Sequence, residues 1–365
     1  MTEILITEID DVRLQNEFKG ISFSKFKKTD VKKELLNSLL YSRLEPSYYW
    51  CVELICAAHF MDIWEIFILF YSKYIHLGNP RLVIYLNRSM DVYYQIYNAG
   101  YKDNKLAMRN NWKIRKLFFE IVYILCNAKQ KHSYTKIKVN QEDMNMFVLK
   151  EKCKADDISY IENIMTTEDS KELIISLNEF AYGISEQYKN TIHACYWLEW
   201  IFEFQNVCKK KKQPIHIGKR KFVLNHIEEK YQRDIVWIIW EIFFQEIKRF
   251  TLPIMPEALD SLFRIYCLDY TSCCQDKKKY LLYFAISLFC DKISWEEELI
   301  SKEHREMMYS IQEKSDLIFK QLKKNELSTN TDYLFHFDKS RNLANTIMKL
   351  ETLNKYTEQL YPSTD

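Results

Sequence analysis

Along most of this chain the apolar positions recur at the three- and four-residue spacing of helices, and several segments are apolar almost all round. After a weakly periodic stretch over 1–28, Asp30 stands where it can cap a helix whose inner face is Leu35, Leu36, Leu39 and Leu40. Glu45, Pro46 and Ser47 break that pattern. The next segment, 47–60, carries Tyr48, Val52 and Ile55 on one face while Tyr49, Trp50 and Leu54 fill others, which predicts a helix in the middle of a bundle. Over 62–77 the polar Asp62, Glu65, Ser72 and Lys73 make a narrow stripe against Ile63, Trp64, Ile66, Phe67, Phe70 and Tyr74, so a second mostly buried helix is expected. Gly78, Asn79 and Pro80 then follow in the order that helix ends prefer: glycine for the left-handed residue past a C-terminus, asparagine for the next cap, proline for the first turn. A tight helical corner is predicted at 78–80.

Further helices are predicted over 80–99, ended by Gly100, and over 105–127, with Trp112, Leu117, Phe118, Ile121, Ile124 and Leu125 on the buried side. Residues 128–167 are more polar and ambiguous. In a second aromatic block, 170–206, Glu199, Glu203 and Asn206 share a polar stripe opposite Tyr196, Trp197, Trp200, Ile201 and Phe204. Its counterpart over 228–250 sets Asp234, Glu241, Gln245, Lys248 and Arg249 against Trp237, Ile238, Trp240, Phe243 and Phe244. Pro253 and Pro256 mark the next break, ahead of a helical pair containing Leu262, Ile265 and Leu268, then Tyr280, Leu281, Phe284, Leu288 and Phe289. The charged tail over 295–360 reads as solvent-facing helices or as long helices that pack on a partner. The fold expected is all-α, a multi-helix bundle passing into irregular, α-solenoid-like stacked pairs. Its segments are an N-terminal stretch 1–28, an aromatic bundle 29–128, a polar connector 129–167, a second subdomain 168–250 and C-terminal helices 251–365. No strict repeat period holds, because the Trp-Glu pairings at Trp64-Glu65, Glu199-Trp200 and Trp240-Glu241 are unequally spaced.

Composition narrows the chemistry. Five glycines stand against 25 tyrosines, 22 phenylalanines and 8 tryptophans, and phosphate-cradling loops, nucleophile elbows and dinucleotide turns need glycine where the backbone takes positive φ or approaches a ligand. Lys plus Arg is 52 and Asp plus Glu is 50, so the net charge of +2 gives no global attraction to nucleic acid or to an anionic membrane. The first residues carry acids where a secretory leader needs bases, and no apolar run approaches the roughly 20 residues that span a bilayer. The expectation is a cytoplasmic protein, not secreted and not inserted in a membrane. Among the ten cysteines, Cys51, Cys56, Cys126, Cys195, Cys208 and Cys290 fall in apolar helical segments and read as buried thiols.

Helical enzyme sites are not supported by spacing. There is no H-E-x-x-H, no glutamate three residues before a histidine, and no acid four residues beyond Asp10-Asp11 or Asp156-Asp157. Cys267, Cys273 and Cys274 lack a C-x-x-C pair, and His193 and Cys195, two apart on a helix, point to different faces. No catalytic residue, metal or cofactor is therefore expected. Glu53 and Glu199 look buried; they read as partners for Arg43 or for indole and tyrosine hydroxyl donors, or as catalytic carboxylates with no second acid specified.

One charge cluster stands out. Lys209, Lys210, Lys211 and Lys212 precede Gln213-Pro214-Ile215-His216-Ile217-Gly218, and Lys219, Arg220 and Lys221 follow, with no Asp or Glu between Glu203 and Glu228. Such a run is either a solvated connector or an anion-binding loop that neutralises phosphates of a nucleic acid or another polyanion without reading sequence. The aromatic residues, recurring at helical spacing among aliphatic neighbours, read as core rather than as platforms for bases.

Residues 42–54, with Glu45, Trp50 and Glu53, continue to Trp64-Glu65 and then to His76-Leu77-Gly78-Asn79-Pro80-Arg81-Leu82-Val83-Ile84-Tyr85-Leu86. This stretch resembles uncharacterised helical proteins of nucleocytoplasmic large DNA viruses. The resemblance implies a viral origin and a location in the host cytoplasm or the virion, and it brings no catalytic residues. The function expected is a non-enzymatic scaffold or adaptor in a viral assembly, binding a protein partner through helical surfaces. The alternative is a nucleic-acid-binding factor using the loop 209–221, and the third reading is a divergent all-α enzyme.

Overall fold

Pro46, expected to break a helix, lies inside the first turn of one. The amide it lacks is among the first four of a helix, which have no intrahelical acceptor in any case. The computed structural model describes residues 8–213, 215–313 and Phe319. In chain order its α-helices are α1 (Lys28–Leu40), α2 (Leu44–Cys56), α3 (Phe60–Phe70), α4 (Leu82–Asn98), α5 (Trp112–Asn127), α6 (Met146–Lys152), α7 (Ile174–Ile184), α8 (Thr191–Lys210), α9 (Val236–Glu246), α10 (Ile254–Cys267), α11 (Gln275–Cys290) and α12 (Lys302–Glu313). Among the described residues there is no β-strand, only an isolated bridge between Ile21 and Lys27, so the fold is all-α as expected. No helix of the described residues is long and apolar enough to cross a membrane.

The chain divides into two units, and neither is continuous in sequence: Met1–Tyr71 with Arg88–Lys129 and Glu298–Asp365, and Ser72–Asn87 with Gln130–Glu297. The consecutive segmentation expected from composition is corrected accordingly. The described part of the C-terminal stretch, 251–313, is divided between the units at Glu298, and within 8–28 Ile9, Phe18, Phe23 and Phe26 are core residues of the first unit.

In that first unit, α1 begins at Lys28, so Asp30 is not its cap but lies in the first turn, where a carboxylate meets the positive end of the helix. Every residue of α2 from Pro46 to Cys56 is buried, as its all-round apolarity predicted. Trp50 meets Phe26 edge-on at 5.8 Å, and Trp64 of α3 packs against Tyr93 at 6.1 Å and Phe118 at 5.8 Å. The helix expected over 105–127 is two elements, a short 3-10 turn Lys105–Asn110 and α5, which Asn111 caps. Trp112, placed on the buried side by periodicity, is 53% exposed at the first position of α5. Helix α12 packs on α5, with Met308 buried, the Tyr123 hydroxyl 3.0 Å from His304 Nδ1, and the Phe319 ring stacked on Phe119 at 5.6 Å. Of the charged tail, 314–318 and 320–360 lie outside the described residues.

The second unit opens on the corner. The helix expected over 62–77 gives way after Phe70 to a wide turn, Tyr71–Ile75, and a 3-10 turn, His76–Gly78. The corner forms, with Leu82 N–H bonded to the Asn79 carbonyl at 3.2 Å, but the left-handed residue is His76, φ 30°, rather than Gly78. Side-chain contacts offset that strain: the imidazole stacks on Tyr134 at 4.1 Å and its Nε2 lies 2.7 Å from the His132 carbonyl oxygen. The block 170–206 is the helical pair α7 and α8, and 228–250 resolves into a short turn Glu229–Tyr231 followed by α9. Pro253 precedes α10 and Pro256 sits in its first turn. Helix α11 packs on α7, α8 and α10, and α7 also meets α9, so the helices share one core rather than forming a file in which each pair meets only its neighbours.

Candidate polyanion-binding loop

The seven basic residues of the loop separate into two kinds. Lys209 and Lys210 form the last turn of α8, where cations meet the negative end of the helix. The helix then closes with the Gln213 amide bonded to the Cys208 carbonyl at 2.9 Å and the Lys212 amide to the Lys209 carbonyl at 3.1 Å. This is the double closure that usually places glycine at the left-handed position; here Lys212 takes it, φ 57°. Lys209, Lys210, Lys211 and Lys212 are all exposed.

Beyond the turn the chain is tied to the segment 166–170. Ser170 N–H bonds the His216 carbonyl and the His216 amide bonds Ser170 Oγ, both at 2.9 Å, while the Gly218 amide donates to Asp169 Oδ1 at 2.8 Å. Gly218 is required by contact rather than by conformation: a Cβ there would lie 2.9 Å from Thr166 Oγ1 and 3.1 Å from Arg220 Nη1. Ile217 is buried.

Arg220 is the anchor of this segment, and its assignment to the anion-binding set is corrected. It is 3% exposed. Its Nη1 and Nη2 each donate to Asp169 at 2.8 Å, Nε donates to Glu241 at 2.7 Å, and the Gly218 and Ile164 carbonyls accept the remaining bonds. A guanidinium whose fork is filled by carboxylates and carbonyls has no donor left for a ligand. Burial pushes the Asp169 pKa up, but the bonds from Arg220, Gly218 and Thr166 outweigh it and hold the carboxyl below its ordinary value.

Lys219 and Lys221, on either side of the buried Arg220, are exposed. With Lys209 to Lys212 they make six solvent-facing ammonium groups, and among the described residues none forms an ion pair. The structure therefore keeps six of the seven positions as candidates and displays two of them from a backbone fixed by hydrogen bonds.

Of Glu45, Trp50, Glu53, Trp64, Gly78, Asn79 and Pro80, singled out by resemblance, all but Glu45 are buried. Glu45 is exposed in the first turn of α2, Trp50 and Trp64 are core, and Gly78, Asn79 and Pro80 build the corner. Glu53, fully buried, accepts from the Ser24 amide at 2.9 Å and the Ser24 hydroxyl at 2.7 Å, a loop donor that no helical spacing could announce.

Two buried clusters lie elsewhere in the second unit. Glu199, expected both on a polar stripe and as a buried tyrosine partner, is the latter: Tyr283 donates to it at 2.7 Å, with Lys279 Nζ at 3.6 Å. Burial pulls the Lys279 pKa down, against the opposing pull of Glu199 and Asp276. Glu179, missed from sequence, accepts from the Lys154 and Ala155 amides at 2.9 Å and lies 2.9 Å from His193 Nε2. Both carboxylates are buried and accept from neighbouring elements, the arrangement of packing residues. All ten cysteines are free thiols, and no group of three or more metal-ligating side chains occurs among the described residues. No protein family, curated protein or solved structure matches this chain.

Proposed function

We propose that this protein is a non-enzymatic helical factor that binds a polyanion, a nucleic acid backbone, through Lys209, Lys210, Lys211, Lys212, Lys219 and Lys221. The observation that carries the proposal is the sorting of the basic run: six lysines face water with no ion pair among the described residues, while the one arginine is turned inward to fix the segment. Point charges on a held backbone neutralise phosphates without reading bases. Replacing Lys209, Lys210, Lys211 and Lys212 by glutamate should weaken binding to a labelled oligonucleotide at low salt. The dependence of log K on log salt should also flatten, by about 0.7–0.9 for each phosphate that is no longer neutralised. Unchanged affinity at low salt would sink the proposal.

The adaptor reading has thinner support, from Phe147 at 84% and Ile192 at 76% exposure. Single apolar side chains of this kind are ordinary on protein surfaces. On the resemblance of 42–86, we place the factor in a replication or transcription assembly of a large DNA virus, in the host cytoplasm or the virion.

A further inference from the structure

Trp112 is the one tryptophan among the exposed large hydrophobic residues, and its surroundings are basic. The Lys113 and Lys116 ammonium groups lie 5.6 Å and 5.2 Å from its ring centroid, and Lys105 lies 5.8 Å from that of Tyr97. Asn111 fixes the backbone turn at which Trp112 stands. Its Oδ1 accepts from the Lys113 and Ile114 amides at 2.9 Å and 3.3 Å, capping α5, and its Nδ2 donates to the Tyr101 hydroxyl at 3.0 Å. One side chain thus ties the first turn of α5, where Trp112 stands, to the Tyr101 hydroxyl.

Along the stretch 92–119 the sequence is strongly basic, although Ile9 bonds the Asn110 side chain and brings the exposed Glu8 and Asp10 to its edge. Between residues 92 and 119 the only acid is Asp103, against Lys102, Lys105, Arg109, Lys113, Arg115 and Lys116. The two arginines are buried and turned inward, Arg109 onto the carbonyls of Cys56 and Asp11, Arg115 onto the carbonyl of Arg109. The four lysines are exposed or half-exposed, and none forms an ion pair among the described residues. The pattern repeats that of the loop 209–221, arginine inside and lysine outside, with one addition: an exposed indole between two lysines.

We infer that the surface around Trp112 is a base-stacking contact for single-stranded nucleic acid. The inference rests on the polyanion reading in taking the ligand to be a phosphodiester, and adds the base. An exposed indole offers a π-face that any unpaired base can cover, and lysines beside it reach the phosphates on either side of that base. In the free protein those ammonium groups lie over the ring itself, an attraction that a stacked base replaces while the lysines turn to phosphate. A duplex, whose bases are already stacked on one another, gains nothing from the indole.

The test is fluorescence anisotropy with a labelled oligo-dT strand, a labelled duplex of equal length and a labelled poly-glutamate of matched charge, at low salt. Wild type, Trp112→Ala, Trp112→Phe and the Lys209–Lys212 glutamate variant are compared. Trp112→Ala is expected to weaken oligo-dT binding roughly 5- to 100-fold, to leave the duplex unchanged, and to be largely rescued by Trp112→Phe. Because the indole is exposed, unaltered circular dichroism should accompany each substitution. If Trp112→Ala binds oligo-dT as wild type does while the glutamate variant is weakened, the inference falls and the loop reading stands. If Trp112→Ala is weakened and the glutamate variant is not, the inference stands and the loop reading falls. Failure of the wild type to bind either polynucleotide overturns both. Poly-glutamate binding that depends equally on Trp112 overturns the inference in favour of an acidic protein segment.

Discussion

The Arg220 guanidinium grips both carboxylate oxygens of Asp169 at 2.8 Å, and in doing so turns the middle of a basic run into a structural clamp. Asp169 also accepts from the Thr166 amide and hydroxyl and from the Gly218 amide, so the pair ties the chain at 166–170 to the chain at 216–220. Glu241 of α9 completes the arrangement. The lysines on either side owe their positions to this pair.

Removing one partner of such a pair leaves the other charge buried and unmatched. Arg220→Ala should therefore cost about 3–5 kcal/mol, read as a fall in the denaturant midpoint. Arg220→Lys should recover little of it, because one ammonium cannot replace a planar fork that serves two carboxylates and two carbonyls. A lysine variant as stable as wild type would show that only the charge matters.

The same carboxylate sets an acid limit. Burial alone would raise the Asp169 pKa, but its hydrogen bonds prevail and the folded value lies below the ordinary 3.8. A depressed folded pKa means the contribution is fully present above the unfolded value and is lost as pH falls through the folded one. Asp169→Asn should be less stable than wild type at pH 6, and the gap should narrow as the pH falls below 3.8. Denaturant titrations of both proteins at the two ends of that range check this; a constant gap would show that Asp169 titrates normally.

Glu179 anchors a different segment. Its carboxylate accepts from the Lys154 and Ala155 amides and pairs with His193, linking the chain after α6 to α7 and α8. Glu179→Ala leaves two amides without their acceptor, at about 1–3 kcal/mol per orphaned group that stays buried. Hydrogen exchange should show faster exchange at Lys154 and Ala155, with less change in α10 and α11. Equal protection in both proteins would mean that water substitutes for the carboxylate.

The helices were legible because burial writes itself into spacing: α2 and α3 are apolar nearly all round, and the prolines at 253 and 256 do mark the start of α10. Partners distant in sequence left no such mark. Arg220 looks like its lysine neighbours until Asp169 is beside it, and Glu53 needs Ser24, which lies on a loop before α1. Trp112 was misplaced for a local reason. The periodic pattern runs through it without a break, but α5 starts there and the preceding residues form a 3-10 turn, so the helical face has no earlier turn to bury it. The discontinuous units were invisible to composition, since the pairing of α12 with α5 arises between helices and is not a property of either.

Gly183 tests how closely α7 and α8 must approach. A Cβ added there would meet the Ala194 Cβ at 3.0 Å and the Ala194 Cα and amide nitrogen at 3.1 Å. In a helix alanine is favoured over glycine by up to about 1 kcal/mol, and although Gly183 is next to last in α7, propensity alone would make Gly183→Ala mildly stabilising. The close approach opposes this, because the obstructing atoms are mostly backbone and cannot rotate away; overpacking of that kind costs about 1–3 kcal/mol. The net effect should be destabilising. Adding Ala194→Gly removes one of the three close atoms, so it should restore only part of the stability. Gly100, with nothing within 4 Å of its added Cβ, is the control: Gly100→Ala should be neutral or stabilising by up to about 1 kcal/mol. Thermal melts of the four proteins separate the cases, and a Gly183→Ala variant that melts above wild type would mean that α7 and α8 shift apart freely.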